Sequence, residues 1–183
     1  MQDGFLDISK INKLYPEKGR VLISEPFMAD EHFKRSVVYL CEHNEDGSFG
    51  FVMNSFLDVS LSELVEDIVN EEFKVSFGGP ISPDNLFYVH TLKNELEGSY
   101  EVTAGLCTGG KFEDLIPLIN SGVITPNQIR FFLGYSGWEA GQLDTELYLN
   151  SWIVGKTTLN RVLNTYDKDL WKKILDEMGG KFK

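Results

Sequence analysis

Cys41 and His43 are the pair in this chain best suited to chemistry: a thiol and an imidazole two positions apart in SVVYLCEH. The run is rich in β-branched residues, so it reads as a strand. On a regular strand residues two apart share a face, which would put the two side chains together. A neighbouring imidazolium lowers a thiol pKa, and the thiolate is the reactive form. The spacing therefore predicts a thiol-based redox sensor or enzyme built on Cys41 with His43. The same position, at the end of an apolar run, equally suits an inert core cysteine. Cys107 lies in a glycine loop and has less support.

Three further stretches carry candidate chemistry. Residues 105–112, GLCTGGKF, follow a predicted strand and open a predicted helix. Gly109, Gly110 and Lys111 have the spacing of a phosphate-binding loop, in which backbone amides and a lysine hold the anion. The next position should carry a hydroxyl for magnesium, but it is Phe112. That excludes a nucleoside triphosphatase and leaves a small anionic ligand as the reading. Gly78-Gly79-Pro80, after FKVSF, is a second turn where bare backbone could meet such a ligand. In GYSGWEAGQLDTEL (134–147), Ser136 resembles the nucleophile of a G-x-S-x-G turn, with the second glycine one place early. Only His32, His43 and His90 could serve as its base, and none has a context that singles it out. On a helix over 139–149, Glu139 and Glu146 would share a solvated face opposite Ala140, Leu143 and Leu147. No two histidines lie three to five residues apart and there is no Cys-x-x-Cys, so neither a metal nor a cofactor is expected.

The elements that must position these residues are short. Strands are expected at 20–24, 36–42, 48–53, 74–77, 86–91, 100–106, 129–134 and 151–154. Asp46-Gly47 predicts a hairpin between the second and third, because glycine accepts positive φ. Ser60 with Glu63 forms a capping box for a helix over 60–70. Helices are also expected at 112–121, with Pro117 as a kink, at 139–149, at 157–164, and at 167–178, ended by Gly179. Hairpins mixed with helices, without strict βαβ order, predict an α+β fold. The expected organisation is a polar lead-in over 1–19 and a single domain over 20–183, built on a mixed, mostly antiparallel sheet with long hairpins flanked by helices. GYSGWEAGQLDTEL is then a strand-to-helix corner. Gly134 and Gly137 would supply backbone freedom, Gly141 close packing, and Trp138 an anchor, with a ligand groove beside them.

Composition narrows the partners. The 183 residues carry 17 basic and 28 acidic side chains, a net charge of −11. Nucleic-acid affinity comes mostly from neutralising phosphates, so this charge argues against it. No helix-turn-helix is recognisable. No apolar stretch approaches the ~18 residues of a membrane span, and MQDGFLDISK lacks a signal-peptide core. Two widely separated cysteines fit a reducing compartment, so a cytoplasmic protein is expected, monomeric or a small homo-oligomer.

RSVVYLCEHNEDGSFGFVMN (35–54), Gly78-Gly79-Pro80, LGYSGWEAGQLDTEL (133–147) and NSWIV (150–154), in this order, resemble the AlgH/YqgE family. The resemblance covers residues 20–179. It implies a single-domain bacterial protein with an α+β fold and a role in transcriptional regulation, and it brings no catalytic residues. The family pattern includes Cys41-Glu42-His43-Asn44 and, at the corner, Gly134, Gly137, Trp138, Gly141, Gln142 and Leu143. Members often carry alanine at the position of Ser136. The chain departs from the family at Cys107–Lys111 and at Ser55-Phe56, where a basic residue and proline are usual. The expected function is a regulatory or interaction role exerted through a protein or small-molecule partner. A Cys41–His43 thiol centre and an anion-binding module are the alternatives.

Overall fold

The computed structural model describes residues 13–179 together with Ile8. Most of the lead-in expected over 1–19 lies outside the described residues. The described elements are β1 (Val21–Ser24), β2 (Val37–Asn44), β3 (Gly47–Val52), β4 (Phe56–Ser60), α1 (Leu61–Leu64), β5 (Lys74–Phe77) and β6 (Ile81–His90). They continue with β7 (Ser99–Thr103), β8 (Leu106–Gly109), α2 (Phe112–Asn120), β9 (Ile129–Glu139), α3 (Gln142–Tyr148), β10 (Trp152–Gly155), α4 (Leu159–Leu163) and α5 (Leu170–Glu177). The fold is α+β, on a mostly antiparallel sheet.

The sheet runs β10-β1-β2-β3-β9-β6-β8-β7, with β4 and β5 attached beside β9. β9 is shared by both halves. Its first half lies between parallel β5 (Val75↔Phe131) and antiparallel β6 (Tyr88↔Phe131). Its second half pairs with β3. The chain leaving β5 reaches the opposite side of β9 by crossing it at Gly134. Backbones meet there: a Cβ on Gly134 would lie 2.2 Å from the Gly79 carbonyl oxygen, and one on Gly78 2.3 Å from the Gly134 carbonyl oxygen. Gly134 also has φ +69, a left-handed conformation that favours glycine.

Three apolar clusters hold the layers. The inner face of the sheet buries Ile23, Tyr39, Cys41, Phe51 and Phe132 against Val162, Leu170, Ile174 and Leu175 of the C-terminal helices. α2 and the 61–73 segment pack Leu115, Ile119 and Ile68 on Val75 and Phe131. On the other face of β1–β3, Leu22, Val38, Trp138 and Trp152 meet Leu143 of α3. Arg130, fully buried, ties these parts together. Its guanidinium donates to the carbonyls of Val162 and Met53 and to Ser76 Oγ, and lies 4.9 Å from the Phe132 ring centroid. Burial pulls its pKa down to about 9.

Several boundaries differ from expectation. The helix expected over 60–70 is one turn, Leu61–Leu64, although Glu63 does accept from the Ser60 amide at 3.0 Å. β-branched Val65, Ile68 and Val69 resist helix, and Val65 turns extended, which lets Ile68 reach the core while Val69 is exposed. The strand expected over 100–106 is a hairpin, β7–β8, turning at Ala104-Gly105 with Gly105 at φ +83. β4 was not expected. β9 does not stop at 134 but runs on to Glu139, so the corner lies at Ala140-Gly141 and Gly137 belongs to the sheet. Glu139 is accordingly a strand residue, not part of a helical face.

Candidate functional site

The second half of β9, the β2–β3 hairpin and β6 line an open groove. Phe49 pairs with Gly137 across the ladder, Ser48 with Trp138 and Gly47 with Glu139. Cross-strand partners share a face, and Gly137 presents no side chain to the space beside Phe49. A Cβ there would stand 2.8 Å from Ile81 Cδ1 and 3.2 Å from Tyr135 Cε2. The result is an open groove of about 620 Å³, floored by Phe49, Ile81, Phe87 and Tyr135 and edged by Glu42, Asp46 and Glu139. The rings meet edge-on. Phe87 and Tyr135 are 5.3 Å apart at 71°, and Phe49 and Tyr135 6.2 Å apart at 85°. On the side of β9 away from β3, pairing with β6 ends at Tyr135↔Ile81. Among the described residues no strand covers that side of Gly137–Glu139.

A bulge decides the fate of Cys41 and His43. Leu40 pairs with Gly50 but Glu42 with Phe49, so Cys41 is an extra residue in β2. A bulge breaks the alternation of faces. Cys41 packs into the inner core with Phe49 against the same cluster, and Glu42 goes with Phe49. His43 is instead paired with Ser48, its Nδ1 lying 2.7 Å from Ser48 Oγ. The two side chains do not share a face as regular alternation would have it. Cys41 is fully buried, and burial pushes its thiol far above the ordinary thiol range. This geometry gives a reactive Cys41–His43 centre no support.

Behind the groove, the other face of β9 is locked by one carboxylate. Glu146 Oε2 accepts from Trp138 Nε1 at 2.9 Å and from Trp152 Nε1 at 2.8 Å. Its Oε1 accepts from Gln142 Nε2 at 3.0 Å, and Gln142 Oε1 accepts from the Glu139 amide at 2.9 Å. Phe33 stacks on Trp138 and meets Trp152 edge-on. Trp138 is buried beside the corner, and Glu146 is its clamp rather than part of a solvated face.

Comparison with known proteins assigns the lineage. A model of the AlgH-like family matches residues 21–183. The chain belongs to the AlgH-like family. It is 41% identical over 179 residues to a UPF0301 protein of Bacteroides thetaiotaomicron, covering 96% of this chain and 91% of that one. It is 38% identical over 169 residues to a UPF0301 protein of Cytophaga hutchinsonii, covering 91% and 92%. The solution structure of the AlgH protein from Pseudomonas aeruginosa superposes with a TM-score of 0.75 at 29% identity, over 88% of each chain. The crystal structure of a Corynebacterium diphtheriae protein gives 0.75 at 24% identity, over 93% and 91%, and supports the fold alone.

Within this AlgH-like fold the remaining candidates are filled by the protein itself. Gly78 and Gly79 are buried, and their bare backbone is occupied by β9. Ser136 is fully buried and donates to the Gly78 carbonyl at 3.1 Å. Gly109 and Gly110 accept at their carbonyls from His90 and Tyr88. Lys111 is paired with Glu97 at 2.6 Å, and Glu113 and Asp114 open α2, so negative charge already occupies this loop. Gly141 meets nothing within 4 Å; its φ of +74, not close packing, requires glycine. Among the described residues no group of three or more His, Cys, Asp or Glu side chains could hold a metal, and no helix is long and apolar enough to cross a membrane.

The groove residues Phe49, Phe87, Ile81 and Tyr135 were not singled out by sequence. A strand is expected over 48–53, but nothing local indicates that Gly137, 88 residues further along the chain, stands opposite Phe49.

Proposed function

We propose that this protein works by recognition rather than catalysis, in a regulatory or interaction role, and that its partner seats in the groove between β3 and β9. Gly137 carries this reading. Glycine inside a strand costs stability, and here it lets Ile81 and Tyr135 lie against the backbone, where they form the groove's floor with Phe49 and Phe87. Any effect on transcription would run through that partner, because a net charge of −11 opposes contact with phosphates. Two free, buried cysteines fit a reducing cytoplasm.

The test is complementation. Cells lacking the gene should recover their normal transcript profile with the wild-type protein and not with Gly137→Leu, which displaces Ile81 and Tyr135 from the groove's floor. Full rescue by this variant would overturn the reading. A salt-dependent shift of duplex DNA by the pure protein would overturn its indirect nature.

A further inference from the structure

We infer that the groove takes a lysine or arginine side chain carried on an extended segment of a partner protein. The inference rests on the groove being a recognition site and names what it recognises. Three rings, Phe49, Phe87 and Tyr135, meet edge-on at its floor. Ring faces are negative and attract cations. The charged residues lining the groove are Glu42, Asp46 and Glu139, with no lysine or arginine among its lining residues. Among the described residues none of these three carboxylates is in an ion pair. A groove of apolar rings under unpaired carboxylates is complementary to a cationic head on an aliphatic stem, which is what Lys and Arg side chains present.

The extended form follows from β9. Its side away from β3 has no strand beyond Tyr135 among the described residues. On that edge the Glu139 amide is already taken by Gln142 Oε1 at 2.9 Å, and the backbone groups of Gly137 are left to pair with a short added segment of strand. Alternate side chains of such a strand point to one face, which sets a basic residue over the rings. A free amine makes none of the backbone bonds.

The experiment follows amide chemical shifts of the full chain during titration with short extended peptides. Their apolar sequence is shared, and the alternating positions carry Lys and Arg, Gln, or Glu; spermidine is a further arm. The basic peptide is expected to move the amides of residues 47–50 and 136–139. It should bind roughly tenfold or more tighter than the Gln peptide, weakening with salt. Phe87→Leu keeps an apolar surface but removes the ring face, and should cost about fivefold. Glu139→Gln, at an exposed residue, should weaken binding and flatten its salt dependence. Thermal melts of both variants check that they fold.

Equal binding of the Gln or Glu peptide in the groove would overturn the cationic specificity and leave the recognition reading standing. Spermidine binding as tightly as the basic peptide would overturn the extended segment. If no probe binds while Gly137→Leu still fails to complement, this inference falls alone. If that variant complements as well, both fall.

Discussion

Phe49 and Gly137 face each other across the β3–β9 ladder, and Ile81 and Tyr135 lean into the place where a side chain on Gly137 would stand. Three residues earlier on the same strand, Gly134 lacks a side chain for another reason: a carbonyl oxygen stands where its Cβ would be.

The two glycines should therefore respond unequally. Gly137→Leu must displace the flexible end of Ile81 and the edge of Tyr135, which are side chains rather than backbone, so its melting temperature should fall less than that of Gly134→Ala. Gly134→Ala must displace the Gly79 backbone from a positive φ, at a cost of about 3 kcal/mol. At this chain length that lowers Tm by roughly 6–12 °C. Scanning calorimetry of both variants decides it, and equal losses would remove the distinction.

Glu146 is expected to be the least replaceable acid in the chain. Removing it takes away the carboxylate oxygen to which both indole N–H groups donate, and a buried bond of this kind is worth about 1–3 kcal/mol. Glu146→Ala should thus lose at least about 1–3 kcal/mol in urea unfolding, with altered tryptophan emission. Glu146→Gln retains one acceptor oxygen and should lose less than half of that. A loss in the alanine variant no larger than that of an exposed Asp144→Ala would refute the clamp.

His90 makes stability fall on mild acidification. It is fully buried, with Nε2 2.9 Å from the Gly109 carbonyl oxygen and Nδ1 accepting the Leu92 amide at 3.1 Å. Burial lowers its pKa below the ordinary 6.5. The unfolded chain then takes up a proton first as pH drops through ~6.5, so it binds more protons than the native state and unfolding becomes easier. The decline should level off at the depressed native pKa. His90→Gln should be less stable at neutral pH and lack this slope in urea midpoints between neutral and mildly acidic pH.

Cys41 and Cys107 are both buried, and burial raises both thiols. Alkylation of Cys41 should be negligible in the native protein at mildly alkaline pH and should appear with the global unfolding transition in urea. Rapid native-state modification of Cys41, read by peptide mass spectrometry, would restore the thiol centre.

Much of the architecture was legible locally. Asn44↔Gly47 closes the β2–β3 hairpin around Glu45-Asp46, next to the glycine that signalled it. The stripe Leu170, Ile174, Leu175 buries one face of α5, and Gly179 follows at φ +148. What could not be read were departures from regular periods. The bulge at Cys41 reverses the phase of β2, and composition does not reveal it. Gly134 looks like a strand end because glycine usually breaks strands, yet here it marks where another segment crosses a strand that continues. The groove draws on β2, β3, β6 and β9, so its residues are neighbours only after folding.

β9 has a temporal consequence. β3, β5 and β6 all precede it in the chain, and each depends on it for a neighbour. During synthesis those three strands emerge with unpaired edges and wait until the last third of the chain leaves the ribosome. Such non-local pairing slows folding and exposes aggregation-prone edges. A nascent chain stalled before Ile129 would be a natural client for chaperones, whereas one with Glu139 clear of the ribosome would already hold all of the sheet but β10.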